Sequence, residues 1–72
     1  MRYIAGIAVK KYLKGKGISQ VFVSQKTGIP QNKLNNRLNG KSELKANELF
    51  LIADRLDIAL EEIRQLARQI TD

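Results

Sequence analysis

Seventy-two residues without one Cys or His exclude disulfides and the usual zinc ligands, so apolar packing alone must hold the fold. The net charge of +6 is unevenly spread: residues 1–42 carry nine Lys or Arg and no Asp or Glu, whereas residues 43–72 carry four basic and seven acidic residues. No apolar stretch approaches the roughly 20 residues that span a bilayer and no secretory pattern follows Met1, so a cytoplasmic, membrane-free chain is expected.

The first predicted helix covers residues 2–14, RYIAGIAVKKYLK, with Ala5, Ala8, Val9, Tyr12 and Leu13 near helical spacing and Lys10, Lys11 and Lys14 on the other side. Ile4 and Ile7 fall off that stripe, which suggests cover on two sides. Gly6 inside the helix costs roughly 1 kcal/mol against Ala, and that cost points to another helix passing close by. Gly15 and Gly17, on either side of Lys16, are expected to stop it.

A second helix opens at Ser19, whose hydroxyl suits the N-cap, and closes at Gly28, which tolerates a left-handed backbone. Within it Val23 should be core. Val21 and Phe22 are surplus, and Phe22 either packs on the first helix or belongs to a partner surface. After the Gly28-Ile29-Pro30 break, Pro30 fits the first turn of a third helix that Gly40 ends. The pair reads as a helix-turn-helix.

Between Pro30 and Gly40 only Leu34 and Leu38 are apolar, spaced i and i+4 on one face. The remainder is Gln31, Asn32, Lys33, Asn35, Asn36, Arg37 and Asn39, with no acid among them. Asn is a mediocre helix former, so a requirement other than folding is implied, although a solvated face remains the plain alternative. Amides match the N6/N7 edge of adenine, and Lys or Arg match guanine O6/N7 or phosphate. The basic half fits the same partner, since Lys and Arg that neutralise phosphates supply much of the affinity for DNA. A general cationic or lipid-attracted surface is the competing reading, but no continuous cationic amphipathic helix is present.

Residues 41–45 read as a loop. Residues 46–56 read as a fourth helix with Leu49, Ile52, Ala53 and Leu56 on its core stripe, followed by Asp57 where a left-handed residue is needed. Residues 59–70 form a fifth, with Ile63, Leu66, Ala67 and Ile70 on one face. Leu66 and Ile70 either pack back on Ile4 and Ile7 or offer an apolar strip to a second subunit. Catalysis finds no footing: the Ser and Thr residues are accounted for by caps, packing, a loop and a tail, and Glu61 and Glu62 diverge on one helix. No phosphate loop or metal constellation appears, and no cofactor is expected.

Ile18-Ser19-Gln20, Gly28-Ile29 and Asn39-Gly40-Lys41, continuing through Ile52-Ala53 and Leu56-Asp57-Ile58 to Ile63, resemble the phage repressor and Cro-type helix-turn-helix family, the lambda-repressor-like or XRE-type domains. The resemblance implies an all-α, five-helix bundle forming one domain over residues 1–72. It also implies sequence-specific binding of double-stranded DNA by a small transcriptional regulator, with helix 3 in the major groove. Gln31, Asn32 and Asn36 match base-reading positions, and Lys33 and Asn35 are the next candidates. Gln20, Arg37, Asn39 and Lys41 match backbone-positioning ones, and Lys10, Lys14 and Lys16 are further phosphate candidates.

Some positions depart from the family pattern. Val21-Phe22 replaces acids, and Glu43 replaces a basic residue. Ser24 stands where Ala is usual, which suggests that small size matters more there than the hydroxyl. Leu13 and Leu38 stand where several relatives bury an Arg–Glu pair, and their joint change suggests contact. So short a domain lacks room for an inducer pocket, so a Cro-like protein with no small-molecule ligand is expected, commonly a homodimer on a two-fold operator. The alternative is a protein-interaction module of antitoxin or anti-repressor type, using Phe22, Val21 and the C-terminal helix.

Overall fold

The computed structural model describes residues 2–71, and all of their regular structure is helical. The helices are α1 (Ile4–Lys16), α2 (Gln20–Thr27), α3 (Gln31–Leu38), α4 (Ala46–Leu56) and α5 (Leu60–Thr71). Each contributes to one apolar core: Ala8, Val9 and Leu13 from α1, Val23 from α2, Leu34 and Leu38 from α3, Ile52 and Ala53 from α4, and Ile63 from α5. Ile29, Leu44 and Ile58 anchor the three connections that flank α3 and α5. The arrangement is the all-α, lambda-repressor-like bundle that the sequence anticipates.

α1 packs against both α5 and α3, and α2 against α3 and α4. The crossing of α1 over α3 is tight enough to need Gly6, because a Cβ there would lie 1.8 Å from the carbonyl oxygen of Arg37. Leu66 and Ile70 are partly buried against the core, so the apolar strip of α5 is turned inward. A second close approach occurs at Gly40 (φ 74°), where a Cβ would lie 2.7 Å from Cδ1 of Ile7.

Two ends differ from expectation. α1 runs through Gly15 to Lys16, and Gly17 alone stops it by adopting φ 71°. The Ile18 N–H then reaches back to the Leu13 carbonyl at 2.9 Å, satisfying an orphan acceptor of the last turn. Gly15 has no such geometry to supply, and inside a helix it costs only about 1 kcal/mol. Pro30 sits at the N-cap of α3, one residue ahead of the first turn, with φ −57° and ψ 143°. Its extended ψ ends the turn while its carbonyl accepts from Leu34 N–H at 2.9 Å. Asp57 takes the left-handed conformation at φ 55° and ψ 48°.

Candidate nucleic-acid interface

The turn between α2 and α3 is braced by side chains. Ser19 Oγ accepts from the Phe22 N–H at 3.1 Å, capping α2. Thr27 Oγ1 donates to the Val23 carbonyl at 2.7 Å and accepts from the Ile29 N–H at 3.2 Å. Ser24 Oγ donates to the Ile29 carbonyl at 2.6 Å. The hydroxyl of Ser24, which its sequence context ranks below small size, thus closes the turn with a bond Ala lacks. With Gly28 at φ 79° and Ile29 buried, the angle between the two helices is fixed at several points.

α3 buries Leu34 and Leu38 completely and is tied along both of its edges. On the edge facing α1, Lys10 Nζ donates to Asn39 Oδ1, and Asn39 Nδ2 donates to Asn35 Oδ1 at 3.1 Å. On the edge facing α4, Arg37 Nε donates to Glu48 Oε1 at 2.8 Å and Arg37 Nη1 to the Lys33 carbonyl at 3.2 Å. Glu48 Oε1 also accepts from the Lys45 N–H at 3.0 Å, which joins the end of α3 to the start of α4. Between these edges Asn32 and Asn36 are exposed, as is Gln31 at the first position of the helix, and no side-chain hydrogen bond within the described residues engages them. At a helical period of about 3.6 residues, Asn32 and Asn36 form a ridge opposite Leu34 and Leu38.

The remaining sequence candidates fall into three groups. Lys33 and Lys41 are exposed at the two ends of α3, Lys14 lies one turn along α1 from Lys10, and Gln20 is half-buried at the first position of α2. Arg37 and Asn39, expected to touch a DNA backbone, spend polar atoms on partners inside the molecule: an ion pair for Arg37 and the amide chain for Asn39. Lys16 stands apart, with Nζ 5.7 Å from the Tyr12 ring centroid and its side chain beside Glu62, Gln65 and Leu66 of α5. About 120° of helix rotation separates it from Lys10.

Glu48 escaped the sequence reading, although a Glu at the third position of a helix is a recognisable capping signal. Tyr3 escaped it as well. Its N–H donates to the Gly40 carbonyl at 3.3 Å, which brings the start of the chain beside the end of α3. Phe22 is 43% exposed, with Lys26 Nζ 5.4 Å from its ring centroid. Since the α5 strip is packed inward, Phe22 and that strip do not form one apolar surface.

An acid-free, cationic half carrying a braced helix-turn-helix with an unengaged amide ridge defines a DNA-binding protein of the helix-turn-helix class. The sequence model of that family matches residues 9–63. The chain therefore belongs to the helix-turn-helix family of XRE-type, lambda-repressor-like domains, a family of double-stranded-DNA-binding transcription regulators. No curated protein and no solved structure shows significant similarity to it. Among the described residues no helix is long and apolar enough to cross a membrane.

Proposed function

We propose that the protein is a small Cro- or repressor-like regulator, a single domain that binds a specific DNA site with α3 in the major groove. One observation carries this reading. The ridge of Asn32 and Asn36, with Gln31 at the first position of the helix, is exposed and unengaged, while the residues on both edges of α3 are tied down. Amides held on a rigid helix with their donors and acceptors unspent suit base edges, each bidentate pair discriminating by about 1–3 kcal/mol. Lys14, Lys33, Lys41 and Gln20 would set register on phosphates, with Lys10 beside them.

An eight-residue helix is only about 12 Å long and reads few base pairs. Specificity therefore calls for two copies on a two-fold site, with half-sites about 34–36 Å apart. That spacing is comparable with the 32 Å longest extent of the molecule, so copies on successive turns would lie side by side.

The test is selection of bound duplexes from a random library, repeated with Asn32→Ala and Asn36→Ala. Each substitution is expected to relax preference at one base pair of each half-site while the melting temperature stays put. Variants that melt early with preference intact would mean that the ridge serves folding.

A further inference from the structure

The chain Lys10–Asn39–Asn35 has a direction that its chemistry dictates. An ammonium has three donors and no acceptor, so the atom of Asn39 that faces Lys10 must be its oxygen. The nitrogen of Asn39 is then turned away and donates to Asn35 at 3.1 Å. That contact turns the oxygen of Asn35 toward Asn39 and leaves its NH2 group as the end facing outward. An isolated Asn can offer either end of its amide to a base; Asn35 in this chain offers a donor.

We propose that Lys10, from α1, is a positioning residue that fixes the polarity of Asn35 and thereby the kind of base edge Asn35 selects. The inference rests on the DNA-reading role of α3. With its NH2 outward, Asn35 favours base edges that accept, namely guanine O6/N7, thymine O4 or adenine N7, over cytosine, which presents only its amino group. Lys10 thus acts on specificity through two amides without itself touching a base. The device is directional and can be reversed. A carboxylate at position 10 accepts only, so it would draw the nitrogen of Asn39, leave the oxygen of Asn39 for the nitrogen of Asn35, and turn the oxygen of Asn35 outward.

The experiment compares duplex selection by the wild-type chain, Asn35→Ala, Lys10→Met and Lys10→Glu, together with side-chain amide NMR spectra of each free protein. Asn35→Ala identifies the base pair concerned by relaxing preference there. At that pair Lys10→Glu is expected to shift the preference toward cytosine by about tenfold, and Lys10→Met to broaden it. Both lose some affinity on all sequences through the missing cation. In the free proteins Lys10→Met is expected to shift the amide signals of Asn39 and Asn35 and to leave those of Asn32 and Asn36 in place.

Uniform loss of affinity with the preference unchanged would overturn the proposal, because Lys10 would then act as a phosphate contact only. So would an Asn35→Ala profile that relaxes no position, or an Asn35 signal that does not move in Lys10→Met. Failure of the wild-type chain to select any duplex would instead count against the regulator reading, and the amide shifts would still decide whether Lys10 orients Asn35.

Discussion

Ser24 replaces no packing volume that Ala would not fill, yet its Oγ donates to the Ile29 carbonyl at 2.6 Å across the turn that sets the angle of α3. Removing one partner of such a bond costs about 1 kcal/mol net, more where the stranded carbonyl is shielded from water. Ser24→Ala is therefore expected to lower stability by about 1–2 kcal/mol, read as a drop in urea midpoint with an unchanged slope. Wild-type stability in Ser24→Ala would show that the hydroxyl contributes nothing. The bond is invisible in the sequence because its acceptor is a backbone carbonyl, made available by the turn and by no residue type. Arg37 has a similar history: its partner Glu48 lies eleven residues on, in another helix, so a local reading of α3 counts Arg37 with the outward cations. The exposure of Asn32 and Asn36 was legible, since two leucines four apart define the opposite face.

At the scale of helices, Gly6 provides a test in which two effects have opposite signs. Propensity alone says that Gly6→Ala stabilises α1 by about 1 kcal/mol. A Cβ 1.8 Å from the Arg37 carbonyl oxygen says that α1 must back away from α3, with a cost of at least 1–3 kcal/mol typical of overpacking. Destabilisation is the expected outcome of chemical denaturation, and a stabilised variant would contradict the close crossing.

The same pair of helices contains Leu13 and Leu38, 2% and 0% exposed in one core. A double-mutant cycle of Leu13→Ala and Leu38→Ala is expected to show a coupling of about 0.5–3 kcal/mol, whereas additivity within about 0.5 kcal/mol would place them out of contact. Apolar periodicity made five helices legible, and Gly6 disclosed the close crossing. The ends were harder to read, since the chain offers both Gly15 and Gly17 as stops. The choice between them is made by which one the Ile18 N–H can close behind.

Over the whole molecule, the acid-free half of the chain supplies all of α1, α2 and α3, and the acids begin only at Glu43. Lys14, Lys33 and Lys41 have no carboxylate partner among the described residues, so with Lys10, which the neutral amide of Asn39 holds, three to four cations per copy are available to phosphates. Binding to random duplex should weaken with salt along a log–log slope near −3 per copy, about −0.9 for each phosphate neutralised. Replacing any one of the three by Ala is expected to flatten the slope by about one. A slope near zero would favour a protein partner over DNA. The imbalance of charge was plain from the sequence, but its relation to α3 was not. Lys10 and Lys16 stand six residues apart, and only the packing of α1 between α3 and α5 sends one to each side.

The bond from Tyr3 to Gly40 has a practical corollary for anyone handling the protein. It moors the segment ahead of α1 to the turn that follows α3, so a tag or reporter joined to that segment would lie next to the surface assigned to the duplex. A bulky fusion there would compete with DNA for the same space and mimic a binding defect in a protein that is otherwise intact.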